Sequence, residues 1–98
     1  MIDEVQTGLS TTGKFWAHEH FDLPEAPDLV TFAKKMQIGG FFNKEELRLR
    51  EPYSKSVFNT WMGEPTRLVL LEAILNTVRN ENLTERVNET GQFQLLIR

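Results

Sequence analysis

Asp28-Leu29-Val30-Thr31-Phe32-Ala33-Lys34-Lys35 is the most informative stretch of the chain. Leu29 to Phe32 are apolar, β-branched or aromatic, with Pro27-Asp28 before them and two lysines after. That composition predicts a short buried strand. Toward the C-terminus, Gly39-Gly40 punctuates the chain and Phe41-Phe42 begins another short strand. Toward the N-terminus, Pro24 and Pro27 bracket an acidic loop, because each fixes φ and restricts the residue before it. Lys14 to His20 reads as a short helix or turn. Met1 to Val5 alternates weakly and runs through Gln6-Thr7-Gly8 into a loop that extends to Gly13, so Asp3 falls at the end of a strand.

The second half reads differently. Residues 43–56 are charged and irregular, with Pro52 as a breaker, and predict a solvated loop. Val57-Phe58-Asn59-Thr60-Trp61 is apolar with polar insertions and stops at Gly63 and Pro65. Pro65 suits the first turn of a helix, where its missing N–H has no partner to lose. Leu68, Leu71, Ile74, Leu75 and Val78 then recur at spacings of three and four and form one apolar face. Val69 and Leu70 widen that face, which predicts packing on more than one side. A second helix is expected from Asn82, whose spacing to Glu85 is that of a capping box. Leu83, Val87 and Leu95 form its expected buried side, with Gly91 as a weak point. Short strands followed by two helices give an α/β architecture.

With 98 residues, 11 basic and 14 acidic side chains and a formal charge of −3, the chain is one small domain. The acidic balance argues against a nucleic-acid partner, which calls for a basic face. No run of about 18 apolar residues is present to span a membrane. The acidic opening Met1 to Val5 does not read as a targeting segment, and zero cysteines leave no thiolate site. The chain opens inside a strand and closes on Leu95-Leu96-Ile97-Arg98 without a cap, so it reads as a slice of a larger domain.

Several side chains carry chemical potential. Asp3, at a strand's C-terminal end, lies where open α/β sheets bind ligands; Glu4 should face the opposite way. Lys34-Lys35 follows a strand and precedes Gly39-Gly40. The plain reading is two solvated lysines; the chemical one is a Schiff-base amine. His18 and His20 share a face only in an extended strand, since two residues on a helix turn by about 200°. No third ligand is evident, so no metal is expected. Asn82-Leu83-Thr84 and Asn88-Glu89-Thr90 match the glycosylation pattern by chance.

Five segments appear in one order. They are Asp3-Glu4-Val5-Gln6-Thr7-Gly8, Thr12-Gly13-Lys14-Phe15-Trp16-Ala17-His18-Glu19-His20, Asp28 through Lys35, Gly39-Gly40-Phe41-Phe42, and Phe58-Asn59-Thr60-Trp61-Met62-Gly63-Glu64-Pro65. Together they resemble the class III, fold-type I aminotransferases that use pyridoxal phosphate, and among these the enzymes acting on 4-aminobutyrate. The resemblance is densest over residues 2–67 and implies that residues 1–98 are part of the large, cofactor-binding domain. It implies that Asp3 pairs with the pyridine nitrogen, that Gln6 sits beside the ring hydroxyl, and that Lys34 is the Schiff-base lysine. The family pattern runs from an Asp through a small residue to the lysine and fits Lys34, with Ala33 standing where serine is frequent. Thr60 would bind the cofactor phosphate and Phe58 line the substrate pocket, each in the neighbouring subunit of a homodimer. The implied reaction transfers the amino group of 4-aminobutyrate to 2-oxoglutarate, giving succinate semialdehyde and glutamate, in the mitochondrial matrix or alternatively the cytoplasm. The alternatives are another class III enzyme, acting on β-alanine or ornithine, and a non-catalytic truncated product. No arginine of the chain falls in a motif for substrate carboxylates.

Overall fold

A computed structural model describes residues 1–48, 60–61 and 63–97. Three strands form one sheet in the order β1 (Ile2–Asp3), β2 (Leu29–Phe32), β3 (Gly40–Asn43). β1 and β2 run parallel, with Ile2 opposite Val30 and Asp3 opposite Thr31. β2 and β3 run antiparallel, from Leu29 opposite Asn43 to Phe32 opposite Gly40. Two helices follow, α1 (Thr66–Asn80) and α2 (Leu83–Leu96). This is the α/β order expected, and β2 occupies the expected residues. Short 3-10 turns at Ala17–His20, Lys34–Met36 and Glu45–Leu47 fill the connections. The last of these, with β3 extending to Asn43, structures the start of a region expected as loop. Residues 49–56 and most of Val57–Trp61, Phe58 included, lie outside the described residues.

The core is made by connections more than by the sheet. Leu9, Met36 and Ile38 are buried together, with Trp16, Phe32, Leu71, Ile74, Leu75 and Val78 packed against them. In β2 only Val30 is buried and its neighbours are half-buried, so the strand is less enclosed than its apolar run predicts. At the β2–β3 edge, Phe32 lies over Gly40: a Cβ there would come within 2.6 Å of the Phe32 ring. Phe32 also stacks on Phe42, with centroids 5.1 Å apart. The far end of this pair is held by Lys44, whose ammonium lies 2.9 Å from the Asp28 carboxylate and whose N–H donates to the Asp28 carbonyl.

The helices correct three expectations. On α1 the stripe Leu71, Ile74, Leu75, Val78 does meet the core, but Leu68 is 59% exposed and Val69 and Leu70 are exposed too. The core reaches α1 only from Leu71 onward. The capping box does not form, because Asn82 takes the left-handed conformation (φ 50°) and its side chain makes no cap bond. Only Glu81 and Asn82 join the helices, and reversing direction so tightly needs a left-handed residue, which asparagine tolerates. On α2 Leu83 is half-buried, whereas Val87 and Leu95 are exposed, Leu95 at 74%. Polar contacts hold α2 instead. The Ser10 and Thr84 hydroxyls lie 2.7 Å apart, and Asn88 Nδ2 donates to the Gly13 carbonyl at 3.1 Å.

Gly13 has φ +86°, and a Cβ on it would fall 1.8 Å from Asn88 Oδ1. Gly13→Ala should therefore destabilise the chain by about 1 kcal/mol or more, through both backbone strain and the broken tie to α2. Chemical denaturation followed by circular dichroism measures this. Gly91→Ala, with open space around the added Cβ, should stabilise instead.

Candidate functional site

Parallel pairing places the C-terminal ends of β1 and β2 on one edge of the sheet. Asp3 is the last residue of β1, and Lys34 follows the end of β2 by two residues. Successive side chains of a strand point to opposite faces, and here Asp3 is exposed while Glu4 is 1% exposed. Asp3 Oδ1 accepts two hydrogen bonds, from the Val5 N–H at 2.9 Å and the Thr31 hydroxyl at 3.0 Å. Those donors fix the carboxylate's orientation across the β1–β2 pair. Among the described residues no hydrogen bond or ion pair is made by its second oxygen, and the residue is exposed.

Lys34 and Lys35 separate clearly. Lys34 sits at φ 48°, a left-handed backbone unusual for a side chain of this size. Its carbonyl accepts the Gln37 N–H at 2.8 Å, so the strain, of order 1–3 kcal/mol, is held by the following 3-10 turn. Among the described residues no hydrogen bond or ion pair occupies the Lys34 ammonium. The Lys35 ammonium instead donates to the Gln6 carbonyl at 3.4 Å and to the Thr11 hydroxyl. Lys35 thus ties the loop carrying Gln6 to the β2 end, which brings Asp3, Gln6 and Lys34 to one edge.

Thr60 stands apart. It is exposed in the turn before α1, and no hydrogen bond joins it to Asp3, Gln6 or Lys34 among the described residues. The next residue, Trp61, carries the Arg67 guanidinium 3.4 Å from its ring centroid, and Arg67 Nη1 donates to the Gln37 carbonyl at 3.3 Å. The turn before α1 is thereby fastened to the turn after Lys34.

Glu4 and His18 were given no such weight by sequence reasoning. Glu4 Oε1 accepts the His18 backbone N–H at 2.8 Å and His18 Nδ1–H at 2.9 Å. The other oxygen accepts the Thr7 hydroxyl. Burial alone would raise the Glu4 carboxyl above its ordinary value, but the donors from Thr7, His18 and Ala17 outweigh it and hold it below. The signal was present: an acid next to an exposed acid on a strand faces inward, where a carboxylate needs partners. The partner, fourteen residues along, could not be read. His18 and His20 do not converge, since His20 Nε2 contacts the Thr12 carbonyl at 3.0 Å.

A model of the class-III aminotransferases matches residues 1–96. The chain belongs to the class-III aminotransferase family. It is 49% identical over 95 residues to mitochondrial 4-aminobutyrate aminotransferase of Mus musculus, covering 97% of this chain and 19% of that protein. It is 47% identical over 93 residues to 4-aminobutyrate aminotransferase of Dictyostelium discoideum, covering 95% and 18%. A solved lysine aminotransferase from M. tuberculosis, in its internal aldimine form, superposes with a TM-score of 0.77 at 35% identity, covering 94% of this chain and 22% of that one. The chain thus spans about a fifth of the length of the relatives it matches. Members of the family depend on pyridoxal phosphate, and the donor set at this edge fits it. Asp3 has an acceptor oxygen for a pyridinium N–H, and Lys34 an amine for an aldehyde. Among the described residues no helix is long and apolar enough to cross a membrane.

Glu4 is depressed in the folded chain relative to the unfolded one. Its contribution is therefore present above the unfolded carboxylate range and lost as pH falls through the folded value. Denaturation midpoints measured from neutral to acid pH should fall in that window, and Glu4→Gln should flatten that part of the fall. An unchanged acid slope in Glu4→Gln would remove Glu4 from the account.

Proposed function

We propose that the chain is part of the large, cofactor-binding domain of a class III aminotransferase and carries the cofactor-facing residues of its active site. The observation that carries this reading is the convergence of Asp3, Gln6 and Lys34 on the carboxyl edge of the parallel pair β1–β2, where α/β sheets bind ligands. Pyridoxal phosphate supplies an electron sink for the charge left when a proton leaves the substrate carbon. Asp3, oriented by Val5 and Thr31, would hold the protonated pyridine nitrogen. The Gln6 amide donates to the ring hydroxyl. Lys34 Nζ would hold the cofactor and, once released, would be the base that takes the proton from the substrate carbon. Thr60, exposed in the turn before α1, is assigned to a phosphate in the neighbouring subunit of a homodimer and Phe58 to the substrate pocket, both on the resemblance alone.

The reaction proposed is transfer of the amino group of 4-aminobutyrate to 2-oxoglutarate, supported by the names of the relatives at 45–49% identity. Their names also support a mitochondrial location. A second reading, a class III enzyme acting on another terminal amine, is favoured by the likeness to the lysine aminotransferase.

The test is a hybrid subunit in which this chain replaces the matched 95 residues of the mouse relative. Borohydride reduction with pyridoxal phosphate, followed by peptide mass analysis, should place the adduct on Lys34. Lys34→Ala should abolish it and lower turnover by more than about 100-fold, the least that loss of a proton-transfer group costs. Lys35→Ala should keep the adduct. An adduct on Lys35 overturns the assignment, and no adduct at either lysine overturns the function.

A further inference from the structure

Glu4 is used at every polar atom it has. Its N–H donates to the Thr31 carbonyl at 3.0 Å, prolonging the parallel ladder one residue past β1. Its carbonyl accepts the Gly8 N–H at 2.8 Å, closing a turn with Gln6 at its centre. Its carboxylate takes the Thr7 hydroxyl from within that turn and both His18 donors from the 3-10 turn at Ala17–His20. The turn has no slack: a Cβ on Gly8 would lie 2.9 Å from the Glu4 carbonyl and 2.9 Å from the Trp16 ring. Trp16 in turn stacks near His18, with centroids 6.3 Å apart. Asp3 precedes Glu4 directly and Gln6 follows it by two residues. The bonds that fix Glu4 therefore fix the backbone from which both project.

We propose that Glu4 is a positioning residue for the cofactor site, its buried carboxylate locking the Val5–Gly8 turn so that Asp3 and Gln6 are presented together beside Lys34. This rests on the cofactor reading above. Glu4 touches neither cofactor nor substrate; it acts through its neighbours. A carboxylate suits the role because all three of its partners are donors. A glutamine at this position would turn an amide N–H₂ against one of them.

Two measurements test this. In the 98-residue chain without cofactor, Glu4→Gln should speed amide exchange at Gly8 and His18 at least tenfold, while the Lys44 amide, bonded to Asp28 at the far end of the sheet, keeps its rate. In the hybrid holoenzyme, Glu4→Gln should raise the dissociation constant for pyridoxal phosphate about tenfold and shift the pH at which the bound cofactor changes colour, since that colour reports the groups on the ring. Thr7→Val, which removes one donor and leaves His18 in place, should move both readouts in the same direction by less. Unchanged exchange at Gly8 and His18 overturns the lock. Faster exchange with unchanged affinity and colour overturns the positioning role and leaves a purely structural one. An unsubstituted hybrid that binds no cofactor overturns the function and the positioning role with it, and the exchange result alone then describes Glu4.

Discussion

A carboxylate in the interior is tolerated only when its partners replace the water it gave up. Glu4 meets that condition with three donors drawn from two segments, and the requirement organises the first twenty residues. It forces the chain to return from Gly13 so that His18 can reach the end of β1. That return carries Trp16 into contact with Phe32 and Phe42 and places it against the core. It also seats the loop whose Ser10 and Gly13 receive α2. Asp3 and Glu4 are neighbours of the same chemical type with opposite fates. Strand alternation leaves one exposed and sends the other to the interior.

The buried apolar side chains are few among the described residues: Leu9, Val30, Met36 and Ile38. With so little apolar burial, polar ties acquire more weight in setting the arrangement. Helix α1 is held by its apolar stripe, α2 by Ser10–Thr84 and Asn88–Gly13. The two threonine-containing motifs on α2 show the same economy. Thr84 and Asn88 match a sugar-acceptor pattern in sequence, yet their side chains are committed to the loop after β1. The exposed Phe93, Leu95 and Leu96 lie beyond these ties.

Local signals in the sequence were read correctly where local physics decides. Leu29–Phe32 forms β2 because four residues that are each apolar, β-branched or aromatic, between a proline and charges, have little alternative. Pro65 opens α1 for the same kind of reason. The errors fall where distant contacts decide. Leu68 and Leu95 continue a helical apolar pattern, but periodicity states which residues share a face, not whether anything covers that face. The Asn82–Glu85 spacing suits a capping box, but the reversal between the helices demands a left-handed backbone at Asn82. At the site, chain order alone placed Asp3, Gln6 and Lys34 in one family pattern. The pairing of Glu4 with His18 and of Lys35 with Thr11 spans fourteen and twenty-four residues, beyond the reach of any local rule.

Lys35 shows why adjacent identical residues are not interchangeable. Sequence offered two lysines and no electrostatic reason to prefer either. The structure divides their work by direction. In the turn after Ala33, the left-handed backbone at Lys34 aims consecutive side chains apart. Lys35 closes on the Gln6 loop and its ammonium is spent there. Lys34 keeps its amine. Under the proposed assignment the lysine meant for the cofactor is spared structural duty, and its neighbour of the same charge takes that duty up. On this view the Gln6 loop is held from two sides, by Lys35 at its carbonyl and by Glu4 through the turn that encloses it. Among the described residues no hydrogen bond takes up the Gln6 side-chain amide or the Lys34 amine.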